Sequence, residues 1–82
     1  MNAEKREKNQ NKFENWKETE GGGRIYWFEI SGYRGWKAKY VKEVDKNENT
    51  IKFYQEIYNE RNELVEVHEK YPTDKGHKKI NK

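Results

Sequence analysis

Apolar and polar side chains alternate in four stretches of the chain, near residues 24–30, 36–44, 51–58 and 64–70. A period of two is typical of a β-strand that buries one face. The segments between the stretches are rich in Gly, Asn, Asp and Ser, and each has the length of a hairpin connection. The pattern therefore predicts a mainly β fold, a four-stranded antiparallel meander that spans about residues 24–71.

The same alternation divides the predicted sheet into two faces. One face is expected to form the core, and it carries Tyr26, Phe28, Ile30, Trp36, Ala38, Tyr40, Val44, Ile51, Phe53, Ile57 and Leu64. A four-stranded sheet with one apolar face needs a cover. We expect the N-terminal segment or a second copy of the chain to provide it, so a homodimer is one of the predicted states.

The hairpin lengths also predict a register for the three strand pairs. In this register Ile30 lies opposite Trp36, and Ile57 lies opposite Leu64. Four pairs of opposite charge follow from it: Glu29 with Lys37, Lys39 with Glu56, Glu43 with Lys52, and Lys52 with Glu69. Opposite charges that face each other across an antiparallel pair are favourable, so these pairs support the register.

Two segments of different character flank the predicted sheet. Residues 1–23 form an N-terminal arm, in which residues 1–20 are either a full helix or a partly disordered segment with a short helix near Lys12–Glu18. Three consecutive glycines, Gly21 to Gly23, are expected to act as a hinge between the arm and the sheet. Pro72 is expected to end the last strand, because proline has no N–H to donate to the ladder. Residues 72–82 then form a basic tail.

Composition narrows the class of protein further. The 82 residues include no cysteine, which excludes a disulfide scaffold and a thiolate metal site and favours a reducing compartment such as the cytoplasm. No apolar run is long enough for a membrane span or a signal peptide, so we expect a soluble protein without a membrane partner. Lys and Arg total 18 against 15 acidic residues, and the excess lies in the first half of the sheet and in the tail. This distribution favours a polyanionic partner.

The face opposite the predicted core supplies the first candidate site. Trp27, Tyr54 and Tyr58 stand there among Lys37, Lys39 and Lys52, with Tyr33 and Arg34 in the first loop. Aromatic rings on a sheet can stack on unpaired bases, and neighbouring lysines can contact phosphates. The sequence therefore predicts a small module that binds nucleic acid, RNA or single strands before duplex DNA. A protein-interaction module that uses the same rings is the alternative. A salt-bridged, solvated or partner-covered face without a ligand also explains these residues.

A second candidate site lies at one end of the predicted core face, where polar side chains collect. Arg24, Lys42, Glu66 and His68 fall there in the predicted register. A carboxylate, an imidazole and two cations are the groups that metal-independent cleavage of RNA requires, so a ribonuclease-like or toxin-like enzyme is a further alternative. An ordinary polar rim explains the same residues. Because His68 and His77 have no cysteine or acidic pair at ligand spacing, we expect neither a metal nor a cofactor.

Overall fold

The computed structural model describes residues 3–74 and 76–80, and in these ranges the chain forms one helix and a six-stranded antiparallel sheet. The helix, α1, spans Ala3–Lys12. The strands are β1 (Asn15–Glu18), β2 (Arg24–Ser31), β3 (Lys37–Val44), β4 (Thr50–Tyr58), β5 (Leu64–Tyr71) and β6 (Gly76–Lys79). Each strand pairs with the next one along the chain. The predicted mainly β, antiparallel fold is confirmed, and the predicted count of four strands is corrected to six.

The two additional strands lie at the edges of the sheet. β1 pairs with β2, so that Trp16 lies opposite Tyr26, and β6 pairs with β5, so that His77 lies opposite His68. Both strands have four residues and are largely polar, so the alternation of apolar positions does not reveal them. The helix predicted near Lys12–Glu18 is wrong, because the helix ends at Lys12 and a strand follows it. Lys75 and Lys82 of the predicted basic tail lie outside the described residues.

The three consecutive glycines form the turn between β1 and β2. The Thr19 N–H donates a hydrogen bond to the Gly23 carbonyl at 2.9 Å. Gly21 and Gly22 have φ angles of 85° and 86°, which glycine adopts at little cost. A Cβ atom at Gly23 would collide with the carbonyl oxygen of Val44. The local structure therefore requires glycine for two reasons, positive φ and close approach to β3.

The predicted register is confirmed for most of β3 and β4, with Lys39 opposite Glu56 and Glu43 opposite Lys52, but beside the turn Val44 lies opposite Thr50 rather than the predicted Ile51. It is wrong for the other two predicted hairpins, and although two-residue shifts keep most side chains on their predicted faces, Leu64 lies opposite Tyr58 rather than on the core face. Ile30 lies opposite Ala38 rather than Trp36, because the β2–β3 turn is closed between Gly32 and Trp36. Ile57 lies opposite Glu66 rather than Leu64, because the register shifts between Ile57 and Tyr58.

Two of the predicted charge pairs survive this correction as diagonal neighbours. The Lys37 ammonium lies 3.3 Å from the Glu29 carboxylate, and that of Lys52 lies 3.5 Å from the Glu69 carboxylate. A two-residue shift keeps both partners on one face, and long side chains reach across the diagonal. The ion pairs are therefore present although the residues do not lie directly opposite.

The core lies where α1 and the segment after it cover one face of the sheet. Phe13, Tyr26 and Val44 are buried together, and Phe28 and Phe53 pack against them. The other end of this face is uncovered, because a ten-residue helix cannot span a six-stranded sheet. Two residues predicted for the core are consequently exposed, Ile30 by 51% and Trp36 by 39%. Ile51, also predicted for the core, is 54% exposed because it lies at the register shift beside the β3–β4 turn.

Candidate functional site

A buried carboxylate joins α1 to the sheet. Glu48, in the turn between β3 and β4, is 2% exposed. Its Oε2 atom accepts hydrogen bonds from the Tyr26 hydroxyl at 2.8 Å and from Asn9 Nδ2 at 3.0 Å. Its Oε1 atom accepts one from Arg6 Nε at 2.9 Å. Burial alone would raise the pKa of Glu48, but the hydrogen bonds from Asn9, Tyr26 and Arg6 outweigh burial, and the pKa is lowered. We call these four side chains the Glu48 network.

The next hairpin turn, between β4 and β5, has the same geometry as the Glu48 turn but carries asparagine at the matching position. The two turns are closed alike, by Asp45 N–H to the Asn49 carbonyl and by Asn59 N–H to the Glu63 carbonyl, each at 3.0 Å. The fourth residue of each turn has positive φ, 64° at Glu48 and 62° at Asn62. Asn62 is exposed and belongs to a residue type that tolerates this conformation. A glutamate there costs roughly 1 kcal/mol, which the contacts of the Glu48 network offset.

A groove of about 580 Å³ lies beside this network, between the end of α1 and the sheet. We call it the lysine groove, and it is lined by Lys12, Phe13, Lys42, Asn49, Thr50, Phe53 and Tyr71. Register explains why these residues meet, since Lys42 lies opposite Phe53 and Phe53 lies opposite Tyr71. The described residues of the lining include two lysines and no carboxylate. The groove therefore combines positive charge with aromatic surface.

The lysines of the groove repel one another. Lys42 is half-buried, and its ammonium donates a hydrogen bond to Asn9 Oδ1 at 2.9 Å. Burial lowers the pKa of Lys42, and the neighbouring ammonium groups of Lys12 and Lys5 lower it further, against an opposing effect of Glu48. The Lys70 ammonium lies 5.9 Å from the centre of the Phe53 ring, and that of Lys12 lies 6.0 Å from it. A site with this excess of positive charge favours an anion.

The structure brings the predicted nucleic-acid-binding residues of the opposite face together in pairs. The Lys39 ammonium lies 5.4 Å from the Trp27 ring centre, Lys52 lies 5.1 Å from Tyr54, and Lys37 lies 5.5 Å from Tyr58. We call these six residues the lysine–aromatic face. Each ring thus already carries a cation within cation–π distance. A stacking base would have to displace that lysine.

Four glutamates share the lysine–aromatic face, namely Glu29, Glu43, Glu56 and Glu69. The Tyr58 hydroxyl donates a hydrogen bond to Glu56 Oε1 at 3.1 Å. Burial, followed by the charge of nearby glutamates, raises the pKa values of Tyr54 and Tyr58 to about 12. The charge of this face is therefore mixed, and its carboxylates oppose further negative charge near the rings.

Tyr33 and Arg34 lie apart from the other predicted binding residues, in the turn that connects β2 and β3. The Tyr33 side chain is 80% exposed, and the Arg34 guanidinium lies 5.2 Å from the centre of its ring. Trp36 lines the same shallow surface. This turn forms an exposed aromatic end of the sheet, beyond the Lys37–Tyr58 pair.

The four residues predicted for catalysis do not meet in one place. Arg24 in β2 lies opposite Val44, whereas His68 in β5 lies opposite Gln55. Three strand spacings of roughly 4.8 Å, or about 14 Å, separate these two residues across the sheet. They are also displaced along the strands, because Arg24 is in register with Thr50 of β4 and His68 with Gln55. Arg24 is buried, with its guanidinium 3.7 Å from the centre of the Trp16 ring and 3.4 Å from the Tyr26 hydroxyl. Lys42 lies in the lysine groove instead, and the catalytic role of the four residues stays a prediction.

Glu66 and His68 do share a cluster, but with partners that the sequence did not suggest. His68 Nε2 lies 2.6 Å from Asp74 Oδ1, and the His68 and His77 rings are 4.4 Å apart. His77 Nδ1 lies 3.7 Å from Glu66 Oε1. Strand β6 creates this cluster. The only sequence signal for the turn that leads into β6 is Thr73 and Asp74, two residues with short polar side chains that follow Pro72. His68 Nδ1 is buried without a hydrogen-bond partner among the described residues, so neither ring nitrogen of His68 faces an open site.

Residues 3–74 and 76–80 contain no group of three or more His, Asp or Glu side chains placed to hold a metal ion. The expected absence of a metal and of a cofactor stays a prediction. Within the same ranges, no helix has both the length and the apolar character needed to cross a membrane.

Comparisons with known proteins were made with family models, with curated proteins and with solved structures. None of the three gives a significant match to this chain. Its function is therefore inferred from the charges, contacts and cavities described above.

Proposed function

We propose that the protein binds single-stranded nucleic acid, RNA in particular, in the lysine groove. The observation that carries this proposal is the composition of the groove wall. About 580 Å³ of open space is lined by two lysines, Lys12 and Lys42, and by the aromatic residues Phe53 and Tyr71, among others. This volume lies in the range of sites that hold a small ligand, and it suits a nucleotide unit.

The chemistry of the groove matches the two parts of a nucleotide. Tyr71 is 47% exposed, and Phe53 is half-buried at the base of the groove, so both rings can contact a base. Stacking of a base on an aromatic side chain contributes about 1–3 kcal/mol. Lys12 and Lys42 contact phosphate oxygens in this arrangement. Unpaired bases are required, because bases inside a duplex cannot reach the rings.

Charge favours the groove over the lysine–aromatic face. The described lining of the groove carries no carboxylate, and the carboxylate of Glu48 nearby is already held by Arg6, Asn9 and Tyr26. On the lysine–aromatic face, Lys37 and Lys52 form ion pairs with glutamates. A phosphate would therefore gain more at the groove. Binding of protein at the lysine–aromatic face, and RNA cleavage, stay predictions from the sequence.

Binding of a labelled, unstructured RNA oligonucleotide, followed by fluorescence anisotropy at about 50 mM salt, tests the proposal. We expect Lys12→Gln and Lys42→Gln each to weaken binding by about tenfold. Each substitution is also expected to reduce the slope of log K against log salt by roughly 0.7, because one phosphate contact is lost. Lys37→Gln and Lys39→Gln remove the same charge from the lysine–aromatic face and are the matched variants.

The two sets of variants distinguish the two faces. A loss confined to the Lys12 and Lys42 variants supports the groove. Equal losses in all four variants would show a general effect of net charge, and a loss confined to Lys37 and Lys39 would place binding on the lysine–aromatic face. Absence of binding by the parent protein would refute the proposal. Circular dichroism of each variant checks that the sheet is intact.

A further inference from the structure

Two lysines, Lys12 of the lysine groove and Lys70 beside it, approach the same aromatic ring, that of Phe53. Lys12 and Lys70 reach Phe53 from two different elements, the end of α1 and strand β5, and both ammonium groups lie about 6 Å from the ring centre. Lys42 lies directly opposite Phe53 on the neighbouring strand. Two ammonium groups therefore lie near a single aromatic side chain, and Lys42, whose charge is coupled to that of Lys12, stands on the neighbouring strand.

This arrangement differs from one that follows a nucleic-acid backbone. A phosphodiester carries one negative charge, and successive phosphodiesters are best met by cations spaced along a groove. A phosphomonoester carries about 1.5 to 2 negative charges at neutral pH and three acceptor oxygens. Lys12, Lys42 and Lys70, which come from three elements beside one ring, can supply three ammonium donors and so match that group in both charge and number of oxygens.

Other polar groups at the site support a compact anion. The backbone and side chains of Asn49 and Thr50 border the groove beside Lys42, and both side chains can donate a hydrogen bond. A smaller cavity of about 190 Å³ is lined by Lys42, by Lys5 and Lys8 of α1, and by Glu48, whose carboxylate is held by Arg6, Asn9 and Tyr26. Lysines therefore outnumber carboxylates on the helix side of Lys42 as well.

We infer that the lysine groove binds the phosphorylated end of a nucleic-acid strand, with the terminal phosphomonoester among Lys12, Lys42 and Lys70 and its base against Phe53 and Tyr71. This inference rests on the proposed function, since it names the part of the strand that the same groove takes. A 5′ phosphate and a 3′ phosphate share this chemistry.

The test compares four forms of one short RNA oligonucleotide: 5′-phosphorylated, 3′-phosphorylated, phosphorylated at neither end, and phosphorylated at both ends. We expect a phosphorylated form to bind about tenfold more tightly than the form with two hydroxyl ends, because the second negative charge meets three cations. The 5′ and 3′ forms show which end is preferred. The preference should increase between about pH 5.5 and pH 7.5, as the phosphomonoester loses its second proton near pH 6.

Variants of the whole chain assign the preference to the groove. Lys12→Gln and Lys70→Gln should each reduce it to about threefold or less, whereas Lys46→Gln, at an exposed position in the β3–β4 turn, should leave it unchanged. Lys12 is exposed, so its variant is expected to fold even if substitution at Lys70 disturbs β5.

The outcomes separate this inference from the proposed function. Equal affinity for all four forms would overturn the terminal-phosphate inference and leave single-strand binding in place. Absence of binding by every form would overturn the proposed function itself. A preference that persists in both the Lys12 and Lys70 variants would also overturn the inference, because the recognising cations would then lie elsewhere.

Discussion

The two faces of the sheet use the same residue types to opposite effect. Both place lysines against aromatic rings, at 5.1 to 5.5 Å on the lysine–aromatic face and at about 6 Å around Phe53. On the lysine–aromatic face, burial and neighbouring glutamates raise the pKa values of Tyr54 and Tyr58. In the groove, burial and neighbouring lysines lower the pKa of Lys42. Surrounding charge therefore resists anions on one face and attracts them on the other.

This contrast shows that a lysine beside an aromatic ring is not by itself a phosphate site. What matters is whether carboxylates on adjacent strands already satisfy the cation. The lysine–aromatic face is stabilised internally by its mixed charges. The groove keeps unmatched positive charge, held in place by α1 and the Glu48 network.

The largest expected effect on stability comes from removing the carboxylate that fixes one wall of the groove. Glu48→Ala leaves Arg6, Asn9 and the Tyr26 hydroxyl without their shared acceptor, and we expect the free energy of unfolding to fall by about 3 kcal/mol. Urea denaturation measures this change. Asn62→Ala, at the matching position of the next turn, controls for the backbone conformation and should cost about 1 kcal/mol.

The Glu48 variant also separates the two faces. The groove should lose its wall, whereas Trp27 on the opposite face should keep its native fluorescence under folding conditions. If Glu48→Ala is no more destabilising than Asn62→Ala, the Glu48 network does not hold the helix on the sheet.

A smaller effect concerns the tyrosines of the lysine–aromatic face. With pKa values of about 12, Tyr54 and Tyr58 should ionise later than an ordinary tyrosine at 10.0. A pKa raised in the folded state contributes stability that is present below pH 10.0 and is lost as the pH rises towards about 12. Absorbance titration of phenolate in the folded protein measures this delay.

Tyr58→Phe provides the control for that titration. It should remove one late-ionising group and leave the earlier ones unchanged. If every tyrosine of the native protein ionises at the ordinary pH, neither burial nor the glutamates shift the tyrosines of this face, and the contrast between the faces is lost.

The sequence predicted the sheet well because alternation reports directly which side of a strand is buried. Most positions of β2, β3, β4 and β5 were assigned to the correct face even where the register was wrong by two residues, since such a shift preserves the face; Ile51 and Leu64, at the two irregularities of β4, are the exceptions. The register errors arose at the β2–β3 turn and at the irregularity between Ile57 and Tyr58. Neither feature has a signal in the hydrophobic pattern.

The groove could not be predicted because α1 docks through polar contacts. Ala3 is the only apolar residue of the helix, so no apolar stripe indicates which face meets the sheet. Arg6 and Asn9 bind Glu48, a residue 39 positions away from Asn9 in a turn that appeared to be solvated. Lys12 therefore looked like part of an arm, although the structure places it against Phe53.

Mapping of the binding surface by NMR tests the central claim most directly. A ¹⁵N-labelled sample of the whole chain is titrated with a single-stranded RNA oligonucleotide, and chemical-shift changes are followed residue by residue. We expect the largest changes at Lys12, Lys42, Phe53 and Tyr71, with the indole N–H signal of Trp27 little affected. Changes centred on Trp27, Tyr54 and Tyr58, with the groove residues unmoved, would contradict the account.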